Sequence, residues 1–156
     1  MLAGCGFHLR GNVSLPENMQ NLYIDGVASY SSFAVELRRS LRGNGVNVVE
    51  DISSAQAIIK LSNLRFDRRV LTVAGNTGKV REYELFYGTQ VTVVGRDGKV
   101  LLPSKQFRQV RDYIFDENDV LGKSSEEGQL RSEMQSDLVQ QILRRLQAKQ
   151  GPNTKS

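Results

Sequence analysis

Residue types able to carry covalent or metal chemistry are scarce in this chain of 156 residues. It holds one cysteine, Cys5, and one histidine, His8. A single cysteine excludes an internal disulfide. A lone histidine beside it makes neither a zinc set nor a nucleophile–base–orienter triad. Glu126 and Glu127 stand side by side at a predicted helix start, where carboxylates complement the helix dipole and need no acid–base role. Gly75-Asn76-Thr77-Gly78 lacks the Gly-Lys-Ser/Thr ending of a phosphate loop and does not open a helix. The charged run Arg65, Asp67, Arg68 and Arg69 reads most simply as an exposed strand face with an internal Arg–Asp pair, and exposed pairs contribute little. No catalytic residue and no metal ligand is assigned, no cofactor is implied, and the chain reads as a binding protein and not an enzyme.

The position of Cys5 gives it a different chemistry. Leu2-Ala3-Gly4-Cys5 resembles the bacterial lipobox, in which small residues let an extended backbone enter the signal peptidase before a cysteine that carries lipid. The basic start and apolar stretch that normally precede such a motif do not precede it here. The sequence is therefore read as beginning close to the cleavage point, with Cys5 unlipidated in that form. A buried CH₂ contributes roughly 0.8 kcal/mol, and two or more acyl chains hold a protein firmly, so a triacylated Cys5 would be an essentially permanent tether. Gly6 follows the cysteine where an Asp would resemble an inner-membrane retention signal, which favours the outer membrane.

Composition sets the frame for the rest. The hydrophobic fraction of 39% and charged fraction of 24% are those of a globular chain. No apolar run approaches the length needed to span a bilayer. A net charge of +4 suits an anionic partner such as a phosphorylated lipid, an acidic protein or nucleic acid. Nucleic acid is disfavoured by the export motif and by the lack of a helix rich in base-reading residues.

The elements that must position these residues follow from periodicity. Leu22-Tyr23-Ile24 is a short strand closed by Asp25-Gly26. Phe33, Ala34, Leu37 and Leu41 recur at helical spacing after a cap at Ser31 or Ser32, and Gly43-Asn44-Gly45 stops that helix. Val46-Asn47-Val48 is a short extended piece. Ala57, Ile59 and Leu61 alternate inward, after which the phase moves to Leu64 and Phe66, predicting a bulge near Ser62-Asn63. Tyr83, Leu85, Tyr87, Thr89, Val91 and Val93 share one face of the next strand, with Phe86 on the other. A last strand over 100–115 meets Pro103, which marks an edge or a broken strand. Asp116 to Gly122 reads as a loop and Ser124 to Glu127 as a capping box. Leu130, Met134, Leu138, Ile142 and Leu146 then form the stripe of a helix ending near Lys149. The fold class is α+β: a two-layer sandwich with two amphipathic helices on one face of a mostly antiparallel mixed sheet of about four strands. Residues 1–18 form the lipobox and tether segment, 19–149 a single domain, and 150–156 a disordered tail.

The run Cys5-Gly6-Phe7-His8-Leu9-Arg10 directly after the lipobox resembles the start of the lipopolysaccharide-assembly lipoproteins called LptE or RlpB. Looser likenesses follow in the same order at 37–46, Glu82-Tyr83, 105–108, Val120-Leu121-Gly122-Lys123 and the last helix. The resemblance implies an outer-membrane lipoprotein, anchored on the periplasmic side, that plugs the β-barrel LptD in a one-to-one complex. It also implies that the protein helps that barrel assemble and binds lipopolysaccharide on its way to the outer leaflet. The same resemblance makes Lys123, Lys79 and Arg81 candidates for the lipid A phosphates, Lys123 by direct match and the other two as substitutes for an arginine that falls at about Asn76. Arg65, Arg68, Arg69 and Phe86 become candidates for contact with the partner, since barrel lumens are polar. His8 would seat the tether against the domain or the barrel. The alternative is an unrelated periplasm-facing lipoprotein that binds or activates another envelope protein.

Overall fold

The computed structural model describes residues 15–148. Cys5, His8 and the tail expected over 150–156 lie outside the described residues. The elements run β1 (Asn21–Asp25), α1 (Ser32–Gly43), β2 (Asn47–Val48), β3 (Ala57–Val73), β4 (Val80–Gly95), β5 (Val100–Ile114) and α2 (Val120–Ala148). They form one five-stranded sheet in the order β2-β1-β3-β4-β5. β1 runs parallel to β2 and β3, and the β3–β4–β5 meander is antiparallel. The α+β class and the mixed sheet are as expected. The fifth strand is Asn47–Val48, which pairs with Asn21 and Leu22.

The helices cover one face of the sheet, and one apolar core lies between the layers. Phe33, Leu37 and Leu41 from α1 meet Leu22, Ile59, Leu85 and Val93 from the sheet and Met134, Leu138, Ile142 and Leu146 from α2. Ser31 caps α1 by accepting a hydrogen bond from the Ala34 N–H at 3.2 Å. Gly26, with φ +86°, turns the chain out of β1 so close to the Leu61 carbonyl that a side chain there would overlap it.

The phase change in β3 is a real bulge. Pairing with β4 jumps between Ser62 and Arg65, and Asn63 sits at φ 53°. The jump keeps Leu61 and then Phe66 on the helix side. Pro103 lies within β5 without ending it, because β5 is the sheet edge and one side of it needs no partner strand. Register slips there, from Val91 opposite Lys105 to Val93 opposite Leu102.

The start of α2 corrects the sequence reading. The helix begins at Val120, not at Ser124. The Asp119 carboxylate accepts from the Gly122 N–H at 3.1 Å and caps the first turn, which leaves Ser124 inside the helix. Asp116 holds the preceding 3₁₀ turn, Glu117–Asp119, by accepting from the Asn118 N–H at 2.9 Å. The expected loop is therefore mostly helical, and Lys123 stands in the first turn of α2.

A candidate anion-binding groove

The α2 stripe is apolar from Leu146 up to Met134, with Leu130 half-buried. Toward its N-terminus the same helix lines the sheet with Val120, Lys123, Glu127 and Arg131 instead. The sheet below remains aromatic, presenting Phe66, Tyr83, Tyr113 and Phe115. Helix and sheet thus enclose a cleft of about 450 Å³ with an aromatic floor and charged walls. Tyr83 stacks on Tyr113 with ring centres 5.7 Å apart and meets Phe115 edge-on at 5.3 Å.

Three cations border the cleft. The Arg68 guanidinium lies 4.6 Å from the Tyr83 ring centre, and that of Arg131 lies 4.7 Å from the Phe66 centre. Lys123 Nζ is 2.7 Å from Glu126 Oε2. Glu127 Oε2 accepts from Arg68 at 2.8 Å and from the Tyr113 hydroxyl at 2.6 Å. Burial pushes the Glu127 carboxyl up, but the hydrogen bonds from Tyr113 and Arg68 outweigh it and hold the group below the usual carboxylate value. Burial, and then the bond to Glu127, push the Tyr113 hydroxyl up to about 12, so it remains a donor. The bond to Glu126 raises Lys123, and the bond to Glu127 raises Arg68. Both stay cationic. The chemistry available is capture of an amphiphile that carries phosphate or another anion beside an apolar part.

Strand alternation divides the sequence-predicted residues among three places. Lys123 lines the groove, and Arg68, expected on the partner face, joins it there. Arg65, Asp67 and Arg69 point to the opposite, uncovered face of the sheet, where they share a shallow 380 Å³ depression with Glu84, Phe86 and Arg108. The expected Arg–Asp pair is present, with Arg65 Nε 3.2 Å from Asp67 Oδ2, and Arg69 pairs with Glu84 at 2.6 Å. Phe86 faces away from Tyr83 and Tyr87, with the Arg65 guanidinium 5.1 Å from its ring centre. Tyr87 is buried as expected, whereas Tyr83 is only half-buried in the groove wall. Lys79 pairs with Glu117, and Arg81 borders a separate cleft with Glu82, Ile114 and Asp116. The structure does not bring Lys79 and Arg81 together with Lys123 in one cleft. Arg131 is a groove residue that the sequence motifs do not mark. The signal for it was its position one residue after Leu130 and four before Gln135, on the flank of the stripe.

The family model described as LptE, lipopolysaccharide-assembly, matches residues 19–146. The chain belongs to the LptE family. Its role is accordingly in lipopolysaccharide assembly. The LPS-assembly lipoprotein LptE of Photorhabdus laumondii is 30% identical over 92% of this chain and 78% of its own length. That of Pectobacterium atrosepticum is 30% identical over 92% and 77%. Among solved structures, a lipoprotein B from Nitrosomonas europaea is 32% identical with a TM-score of 0.76, covering 92% of both chains. The rare lipoprotein B from Shewanella oneidensis is 26% identical with a TM-score of 0.68, over 81% of this chain and 92% of its own. No described helix is long and apolar enough to cross a membrane.

Proposed function

We propose that this LptE-family chain binds lipopolysaccharide in the groove at the start of α2. The carrying observation is the convergence of Arg68, Lys123 and Arg131 over the aromatic floor of Tyr83, Tyr113 and Phe115. Guanidinium and ammonium groups take the lipid A phosphates. The aromatic rings take adjoining apolar surface. Lys79, paired with Glu117, and Arg81, which borders a neighbouring cleft beside Glu82 and Asp116, take a lesser part. Binding of detergent-dispersed lipid A is expected to weaken about tenfold in Lys123→Ala, and to weaken further as salt rises through the range where the Debye length shrinks below about 10 Å. Affinity indifferent to both changes would remove the phosphate-contact reading.

The same proposal holds that Cys5 carries lipid and moors the domain on the periplasmic side of the outer membrane, where it plugs LptD and helps it assemble. The uncovered face of β3–β5 suits a largely polar lumen wall: around its depression Arg65, Arg69 and Arg108 face Asp67 and Glu84, beside half-exposed Phe86 and exposed Val110. Lipidated protein extracted from outer membranes is expected to co-purify one-to-one with the barrel. Recovery of an isolated monomer would favour a lipoprotein that serves another envelope protein.

A further inference from the structure

Two of the groove's cations are already occupied. Glu126 reaches back along α2 to Lys123 at 2.7 Å, and Glu127 reaches across to Arg68 at 2.8 Å. The two carboxylates differ in how they are held. Glu127 is also fixed by the Tyr113 hydroxyl, with only 22% of its side chain exposed. Glu126 has Lys123 as its one hydrogen-bond partner among the described residues and is 43% exposed. Its carboxylate can therefore turn into water, where hydration replaces the bond to Lys123, whose own side chain is 22% exposed. Arg131 has no ion pair among the described residues and lies over Phe66. Asp119 and Asp116 add negative potential at Lys123.

We propose that Glu126 is a built-in competitor for Lys123, so that a phosphorylated amphiphile enters the groove by exchanging with this carboxylate and leaves as the carboxylate returns. This rests on the reading of the groove as the lipid-binding site. Glu127 takes no part in the exchange: it holds Arg68 and the helix start in place. A competitor covalently attached to the site acts at a fixed high effective concentration, which lowers affinity and speeds release without removing any ligand contact. Such a site hands its ligand on and does not store it.

The test is binding of detergent-dispersed bisphosphorylated lipid A to the folded soluble chain, with dissociation followed directly. Glu126→Gln removes the competing charge but keeps the side chain's size. It is expected to bind about two- to fivefold tighter, the range an exposed ion pair supports, with the gain in slower dissociation. In a Lys123→Ala background the same change is expected to do nothing, because the competed cation is gone. Equal or weaker binding by Glu126→Gln, beside wild-type binding that Lys123→Ala reduces, overturns the proposal and leaves the groove reading standing. A gain that persists without Lys123 also overturns it, as a general effect of lost negative charge. Absence of lipid A binding by wild type and Glu126→Gln alike overturns the groove reading, and the proposal falls with it.

Discussion

Glu127, in the early turns of α2, hydrogen-bonds to Arg68 on β3 at 2.8 Å, across 59 residues of sequence. The contact ties the start of the helix to the far end of the sheet, above the region where apolar packing holds the layers together. Glu127→Gln is expected to destabilise the fold by about 1–2 kcal/mol, because a charge-assisted bond weakens and Arg68 loses its counterion. Urea unfolding measures it through a lower midpoint at unchanged slope.

The same carboxyl gives an acid dependence. Its folded pKa lies below the ordinary value of 4.5, so its contribution is fully present above that pH and is lost as pH falls through the lower folded value. The stability gap between wild type and Glu127→Gln should therefore close as the pH is lowered below 4.5, read from urea midpoints at a series of pH values.

Tyr113 gives the opposite limb. Its folded pKa of about 12 lies above the ordinary 10.0, so the unfolded chain loses the proton first. Its contribution should be constant below pH 10 and be lost as pH rises toward 12. Tyr113→Phe is expected to flatten that loss in thermal melts, at the cost of lower stability near neutrality through the lost bond to Glu127.

The helix interface carries a partly buried polar junction. Gln135 Nε2 donates to Glu36 at 2.5 Å, while its Oε1 accepts from Ser32 at 2.9 Å and from the Tyr87 hydroxyl at 3.1 Å. Gln135→Ala leaves the buried Tyr87 hydroxyl without a partner, while Ser32 is exposed and Glu36 keeps its bond from Ser136, and is expected to cost about 1–2 kcal/mol, whereas Tyr87→Phe removes one donor and costs about 1 kcal/mol. Denaturant titration of the two variants and the double variant checks the order and the coupling.

Gly26 tests the backbone. With φ at +86° and the Leu61 carbonyl against it, Gly26→Ala is expected to cost about 2–4 kcal/mol. A thermal midpoint within a degree or two of wild type would contradict that reading.

Much of this fold was legible because local pattern and tertiary structure agree. Leu61 and Phe66 could be placed on one face only with an extra residue between them, and Asn63 supplies it. The pairing of Asn47–Val48 with β1 was not legible, since two residues carry no period and their parallel partner is set by how α1 returns the chain. The start of α2 misled because two capping signals compete, and Asp119 wins over Ser124 while Glu127 is drawn to Arg68 and Tyr113. The groove was only half visible. Resemblance points to Lys123, but in the sequence Arg68 stands in one charged run with Arg65 and Arg69, although a period of two sends it to the other face. Arg131 gains meaning only from Phe66, which sits 65 residues earlier in the chain.

The measurement that bears most directly on lipid binding in the groove is a titration of the isotope-labelled chain with detergent-dispersed lipid A, followed by NMR. The amides of Lys123 to Arg131 and the ring signals of Tyr83, Tyr113 and Phe115 are expected to shift in a saturable way, while Arg65, Phe86 and Arg108 on the uncovered face stay still. Saturable shifts confined to the uncovered face, with the groove unmoved, would contradict the account.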